Sequence, residues 1–589
     1  MTQKTKLSLT WPGKEERLRL EPRILIENPA KSYHAKMRRE GDIFDNILIK
    51  GDNLLALKAL ERDFSGKVKC IYIDPPFNTG AAFEHYNDGL EHSIWLGLMR
   101  QRLLYMRELL RRDGFIFVHL DDKETHYCKV LMDELFGREN YLNTIILSTN
   151  KPFGFKGTSD RLFKQAQHVL VYSRDKASAS LSRNAMYIEK GYDPQYKWVF
   201  DNPKLPESEW TWRPIGECVA AAFGFSSVRE AKRSMGSQFD DEVFLFAVDN
   251  AERVFRTASV SGGALAKRRE TVKLSRERNK EVIRHPDDDM DYQFIGGERV
   301  LYYRERLSEL DGVRLPVEVV TDIWTDISIE GLAAEGGVDF PKGKKPERAI
   351  MRALGLASEP GDLILDSFGG SGTTGAVAHK MGRRWIMVEM GDHADTHIVP
   401  RLQNVIDGND QGGISKSVEW KGGGGFRYFT LAPSLLEKDL YGNWVISKDY
   451  NAVMLSEAMC KHMGFTYAPS SDSQEYWRHG ASTETDFIYV TTQALTHEAC
   501  AKISHDVGPD RSLLICCKAF DADADAFENL TLVKIPTSIL QKCEWGRDDY
   551  SLNIQNLPQA DDEKPDDAAE EAQAMTEGLP LFAGEEGDE

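Results

Sequence analysis

No apolar run in the 589-residue chain approaches the roughly 18 residues that a membrane-spanning helix requires, so no membrane segment is expected. The opening stretch MTQKTKLSLTWPGK also lacks the apolar centre of an export signal, which points to a cytoplasmic protein. Cysteine is thin and scattered. Its eight copies form no C-x-x-C pair, which argues against a disulfide framework and a cysteine-held zinc and leaves reduced structural thiols. Histidine offers no metal motif either, because His497 and His505 stand eight residues apart where a shared helical face needs about four.

Positive charge is also short, with 74 Lys and Arg against 93 Asp and Glu, a net −19 that at first sight fits poorly with nucleic acid. Its distribution matters more than its sum. Between Asp561 and Glu589 twelve acids face one lysine, so a tail rich in Asp, Glu, Ala, Gly and Pro carries eleven of the nineteen charges and is expected to be disordered. Conversely, AERVFRTASVSGGALAKRRETVKLSRERNKEVIR, Ala251 to Arg284, holds ten basic residues against four acids. Such a stretch suits phosphate contacts and suits equally a solvated helix face with i,i+4 ion pairs.

The chain is 41% hydrophobic and 28% charged, an ordinary globular composition, and its length calls for about two to four domains. From NILIKGDNLLALKAL (Asn46 to Leu60) to QHVLVYSRD (Gln167 to Asp175), short apolar strands alternate with amphipathic helices, which predicts a parallel α/β sheet with right-handed crossovers. The rhythm breaks after Asp175 and resumes at KPERAIMRALGLASEPGDLILDSFGGSGTTG. The expected order is an arm over 1–45, one half of an α/β sheet domain over 46–175, an insert over 176–329, the second half over 330–430, a smaller α/β domain over 431–558 and the acidic tail over 559–589. No internal repeat is visible.

Two stretches carry chemistry. In DLILDSFGGSGTTG a strand runs into Asp366, then Phe368, Gly370 and Gly372, and a helix opens near Thr373. Glycines at such a turn let the chain reverse tightly and leave bare N–H groups for a ligand. The next strand, RWIMVEM, ends in Glu389, seventeen residues beyond Gly372, where nucleotide-binding sheets place the acid that holds ribose hydroxyls. There is no G-K-[ST] and no full G-x-G-x-x-G, so a ligand with adenosine but no phosphate fits better than ATP or NAD.

The other stretch, KCIYIDPPFNTG, sets Asp74, Pro75, Pro76 and Phe77 at a strand tip. An exocyclic amine of a nucleobase is a poor nucleophile because its lone pair is delocalised into the ring. Asp74 can accept one N–H and the Pro75 carbonyl, aimed by two fixed proline φ angles, the other, which drives the nitrogen toward pyramidal geometry. Phe77 would stack on the base. A plain strand-capping turn is the structural alternative.

Together these motifs resemble the S-adenosylmethionine-dependent amino-methyltransferases of DNA, with their D-P-P-[YFW] and F-x-G-x-G signatures. The catalytic motif comes first and a long insert separates the two, an order similar to the β group, which implies a doubly wound Rossmann-like sheet in permuted motif order with an inserted target-recognition domain. LTWPGK, KGDNLLALKAL, YNDGLEHSIWLGLM, MDELFG, DIWTDIS and GKKPERAI extend the likeness to modification subunits of type III restriction-modification systems, over roughly residues 8 to 430. Phe77 stands where Tyr is commoner and Ser367 where Pro is usual.

The resemblance implies S-adenosyl-L-methionine as cofactor and a base flipped from duplex DNA as substrate. It sets Pro346, Glu347, Arg348, Asp366 and Phe368 to Gly372 around the methionine end, Glu389 on the ribose and Asp52 near the adenine amine. Asp52 can instead cap the following helix, and Glu389 can be a plain surface acid. No Pro-Cys dipeptide occurs, so the nucleophile of ring-carbon methylation is missing. The acid before the prolines favours adenine N6 over cytosine N4. Methylation of a protein glutamine or an RNA base, and a non-catalytic DNA-recognition subunit, are the rival readings. A restriction subunit or a second copy are the implied protein partners, with the C-terminal domain as the docking piece.

Overall fold

The computed structural model describes residues 7–16, 18–76, 92–148, 165–286, 292–310, 313–327, 332–338, 340 and 344–550. It divides into two compact units, Met1–Ser180 with Asp322–Glu589, and Leu181–Thr321. The second lies inside the segment 176–329 read as an insert.

The larger unit is organised by an 11-stranded sheet. Its strands are β1 (Leu25–Glu27), β2 (Tyr33–His34), β3 (Asn46–Lys50), β4 (Val68–Ile73), β5 (Leu110–Leu120), β6 (Tyr141–Ser148), β7 (Ala166–Ser173), β8 (Ile323–Trp324), β9 (Leu363–Asp366), β10 (Arg384–Glu389) and β11 (Gly425–Leu431). They lie in the order β1-β11-β3-β10-β9-β4-β5-β7-β6-β8, with β2 on β11. The central strands VKCIYI, LILD and RWIMVE are buried almost throughout, as strands covered by helices on both faces must be. The covering helices include α1 (Asn53–Phe64), α2 (His92–Leu109), α3 (Asp122–Met132), α4 (Glu347–Ala357), α5 (Thr373–Lys380) and α6 (Val399–Ile406). Their apolar stripes, Trp95, Met99, Leu103 and Met106 on α2 for example, join the strands in one core.

Two expectations need correction. The sheet is not wholly parallel, because β7 runs antiparallel to both β5 and β6. A short apolar run encodes burial on both faces but not direction, so HVLVY could not disclose this. The segment 1–45 is also more than an arm, since β1 and β2 pair antiparallel with β11 and extend the sheet.

The C-terminal residues belong to the same compact unit as the large sheet and carry a sheet of their own. It runs Thr466–Tyr467, Gly480–Ala481, Asp486–Val490, Ser512–Cys517 and Leu530–Lys534, the last three parallel. Helices α7 (Ala452–Met463) and α8 (His497–Val507) pack on it. Residues 551–589 lie outside the described residues, and with them the acidic tail.

The second unit holds a six-stranded antiparallel sheet around Trp198–Phe200 and Val254–Ala258, and a helical layer, Ile215–Ala222, Val228–Met235 and Gln238–Asp249. The basic stretch forms two short helices, Gly262–Lys267 and Arg269–Glu277, that bury Val272 and Ser275 and expose Lys267, Arg269, Lys273 and Arg276. Among the described residues no helix is long and apolar enough to cross a membrane.

Strand β4 pairs in parallel with β9 on one side and β5 on the other, and Ile71 at its centre is fully buried. Ile71→Ala should therefore cost about 2–5 kcal/mol of stability in denaturant unfolding, and a loss below about 1 kcal/mol would mean that this strand is not at the centre of the core.

Candidate active site at two neighbouring strand ends

Parallel pairing sets the site. Cys70 and Ile71 of β4 lie opposite Ile364 and Leu365 of β9, and Asp366 lies opposite Met387 of β10. The carboxyl ends of three adjacent strands therefore bring Asp74, Asp366 and Glu389 to one edge of the sheet.

At the tip of β4, Asp74 keeps partial exposure and its Oδ2 lies 3.0 Å from Lys345 Nζ. The Trp95 indole donates to the Pro76 carbonyl at 2.8 Å, anchoring the second proline to α2. Pro75 is buried. Phe77 lies outside the described residues. Below Asp74, the Tyr72 hydroxyl is 3.0 Å from His119 Nδ1, and His119 Nε2 is 2.8 Å from Gln167 Oε1. Burial, reinforced by the Lys345 charge, holds the His119 ring well below the usual imidazole range. The neutral ring accepts from Tyr72 and donates to Gln167.

At the tip of β9, Asp366 Oδ1 accepts from Phe368 N–H at 2.9 Å, closing the turn. Gly369 N–H donates to the Val388 carbonyl at 2.9 Å, and a Cβ at Gly369 would sit 3.1 Å from that oxygen. Gly370 and Gly372 have φ of 52° and 77°, the left-handed region where a side chain is strained. Glu389 Oε2 accepts from Gly370 N–H at 2.8 Å, and its Oε1 from Gly391 N–H at 2.8 Å and from His393 Nε2 at 2.9 Å. Burial pushes Glu389 up, but His393 and the two N–H groups outweigh it and hold the carboxyl below its ordinary range. Asp366 goes the other way. Burial, with the negative charges of Asp74 and Glu389 added, pushes it up to about 8 against the opposing bonds from Thr374 and Phe368 N–H. The site is thus short of positive charge at Asp366.

Behind the turn lies a buried ion network. Arg401 donates to the Ser371 carbonyl at 3.2 Å and to Thr373 Oγ1 at 2.7 Å, and its other nitrogen pairs with Glu347 at 2.8 Å. Lys380 pairs with Glu347 at 2.8 Å and with Asp410 at 2.6 Å, and Glu347, Lys380 and Arg401 have no exposed side-chain surface. Every charge there is paired, as burial demands. Glu347 thus acts on the glycine turn through Arg401. Pro346 is the N-cap of α4 and is buried, whereas Arg348 is exposed.

Asp52, expected near an adenine amine, is nearly buried as the N-cap of α1. Its Oδ1 accepts from Leu54 and Leu55 N–H at 2.9 and 3.0 Å, while Oδ2 accepts from Tyr550 N–H at 3.0 Å and lies 3.5 Å from Arg102. Both oxygens are committed to structure, which is the capping alternative. Its neighbour Asn53 reaches the turn instead, donating to the Ser367 carbonyl at 2.8 Å while Arg102 donates to its side-chain oxygen. Lys345, Trp95, Asn53 and Arg401 carried no signal of their own. Only their places beside the motifs, Lys345 one residue before Pro346 and Asn53 one after Asp52, could have pointed to two of them.

An α/β sheet with an acid-proline tip and a glycine-rich tip on adjacent parallel strands defines a protein that receives its ligands outside the carboxyl ends of its strands. Residues 68–399 match the DNA methylase family, and the chain belongs to it. It is 34% identical over 417 residues to a "Probable type III restriction-modification enzyme HindVI Mod subunit" of Haemophilus influenzae, 68% of this chain and 55% of that one. It is 27% identical over 428 residues to the EcoPI Mod subunit of Escherichia phage P1, 64% of this chain and 61% of that one. The chain thus spans little more than half the length of these curated relatives. Among solved structures, PvuII DNA methyltransferase (cytosine-N4-specific) covers 65% of this chain and 93% of its own at 12% identity and a TM-score of 0.31. A DNA modification methylase of Thermus thermophilus, complexed with S-adenosyl-L-methionine, covers 65% and 97% at 13% identity and a TM-score of 0.29.

The raised Asp366 has a measurable consequence. Below about pH 8 the folded protein keeps this proton, whereas the unfolded chain releases it above about pH 4. Between those limits the folded state binds more protons, so unfolding free energy falls as pH rises and the contribution is flat outside the window. Asp366→Asn should flatten that fall, with the largest Tm gain over wild type near pH 8. Parallel Tm-versus-pH curves for the two proteins would rule it out.

Proposed function

We propose that the protein methylates the N6 amine of an adenine flipped out of duplex DNA, with S-adenosyl-L-methionine as donor. The observation that carries this is the parallel pairing of β4 with β9, which puts the acid and prolines beside the glycine turn.

The turn fits the cofactor. Glycines 369, 370 and 372 leave a cradle that side chains would fill or strain, and Asp366 is a buried acid whose raised pKa a cationic ligand would relieve. Asp366 and the backbone from Phe368 to Thr373 would hold the methionine end and Glu389 the ribose, with Asn53, Glu347 and Arg401 keeping the turn in shape from behind. The bound cofactor supplies an electrophilic methyl on a sulfonium.

The chain's own residues do the rest. Asp74 accepts one N–H of the target amine and the Pro75 carbonyl the other, so the nitrogen lone pair leaves conjugation and points at the methyl. As the new C–N bond forms and the sulfur–carbon bond breaks, the nitrogen becomes cationic and sheds a proton, which Asp74 is positioned to hold. An N–H donor already sits 3.0 Å from Asp74 Oδ2, the Lys345 ammonium, which supports this oxygen as a place where a nitrogen donor docks. An amine arriving there would take over that contact.

The base must leave the stack to reach such a recess. Exposed Lys267, Arg269, Lys273 and Arg276 in the second unit support contact with DNA phosphates there. Similarity to Mod subunits favours adenine, a restriction-modification setting and a restriction subunit as partner, with a second copy of the chain as the other candidate. Motif order, with Asp74 ahead of Asp366, favours the permuted β group.

Asp74→Ala should lower methyl transfer to DNA by at least about a hundredfold while labelled cofactor still binds. Near-wild-type transfer in that variant would remove Asp74 from the chemistry. Expression in a methylation-free host followed by genome-wide mapping of modified bases should find N6-methyladenine in one sequence context. N4-methylcytosine would overturn the choice of base, and label transferred to protein or RNA alone would overturn DNA as substrate.

A further inference from the structure

A second recess, independent of the methylation reading, opens along the C-terminal half of α1. It has a volume of about 300 Å³, within the range of small-molecule sites, and is lined by Leu20, Pro22, Lys58, Ala59, Glu61, Arg62, Lys461, His462, Lys542 and Cys543. Four of these are cations and one is an acid. Lys58 pairs with that acid, Glu61, at 2.6 Å. Among the described residues the other three bond no carboxylate. Arg62 donates to the carbonyls of Phe465 and Gly464 and to Thr466 Oγ1, Lys542 Nζ to the His462 carbonyl and Met463 sulfur at 3.3 Å, and Lys461 Nζ to the Arg23 carbonyl at 3.4 Å. Burial pulls the Lys461 ammonium below its ordinary range, against the opposing charges of Glu457 and Asp63.

His462 supplies a second, independent sign. Burial and the Lys542 charge hold its ring at about 3, so it is neutral and carries one proton. Its Nδ1 lies 3.9 Å from Cys543 Sγ, and burial pushes that thiol up to about 11, so the sulfur keeps its hydrogen and faces Nδ1 as a weak donor. The ring proton is then on Nε2, and Nε2 is buried with no hydrogen-bond partner. A buried N–H without an acceptor, among three cations without a carboxylate, calls for an anion with several oxygens.

We propose that this recess binds a small phosphorylated ligand, its phosphate against His462 Nε2, Arg62, Lys461 and Lys542 and its remainder on the apolar wall of Leu20, Pro22 and Ala59. The ligand would join α1 of the large sheet to α7 of the C-terminal segment.

Titration calorimetry on the full chain tests this with inorganic phosphate and ribose 5-phosphate, which lacks the adenine that a cofactor site could hold. One saturable site per chain is expected, with ribose 5-phosphate the tighter binder. His462→Phe, which keeps the ring and removes the donor, and the exposed Lys542→Ala should each weaken it by about tenfold. S-adenosylmethionine binding should stay unchanged in both, so failure here is separable from failure of the methylation reading. No saturable heat from either probe with folded protein, or equal affinity in wild type and both variants, would overturn the site. Displacement of ribose 5-phosphate by duplex DNA would reassign the cations to a nucleic-acid backbone and overturn the small-ligand assignment.

Discussion

The hydrogen-bonded pairing of Val68–Ile73 with Leu363–Asp366 is the constraint on which the molecule depends. These strands are nearly three hundred residues apart in the chain, yet their register decides which side chains meet at the strand ends. A slip of one residue would turn the buried faces outward and separate Asp74 from the glycine turn. The long separation is tolerable because loop-closure entropy grows only logarithmically with length. Here much of the intervening chain is also folded into a compact unit with its own core, Leu181–Thr321.

Bringing three acids to one sheet edge has an electrostatic cost, and each is managed differently. Asp74 faces the Lys345 ammonium, Glu389 is satisfied by two backbone N–H groups and His393, and Asp366 is left to shift its own pKa. That unevenness is informative, because a site that leaves one buried acid wanting positive charge is prepared for a cationic ligand. The turn's shape is secured by groups that touch no ligand. Arg401 and Glu347, both fully buried, hold the Ser371 carbonyl and Thr373, and Asn53 holds the Ser367 carbonyl.

Much of this was legible in the chain because it is local. The runs CIYI and LILD announce buried strands, the two prolines restrict their own backbone, and glycines at 370 and 372 announce positive φ. Asp52 shows the limit. An acid between a strand and a helix is compatible with a ligand contact and with a helix cap, and only the positions of Leu54 N–H, Leu55 N–H and Tyr550 N–H tell them apart. Pro346 to Arg348 show it again, since one motif yields a buried cap, a buried carboxylate and an exposed guanidinium. The antiparallel course of β7 was hidden for the same reason, because strand direction follows from pairing.

By itself the amino-acid order determined the kind of element at each place and the chemistry available at two turns, because backbone preference, residue periodicity and functional groups are properties of short stretches. Tertiary structure alone decided that those turns are neighbours, that Lys345 faces Asp74, that Arg401 braces the glycines from behind, and that a histidine near residue 460 lies against a cysteine near 540. Such relations arise from contacts between distant segments, and a contact has no signature in either segment until burial and register bring the two together.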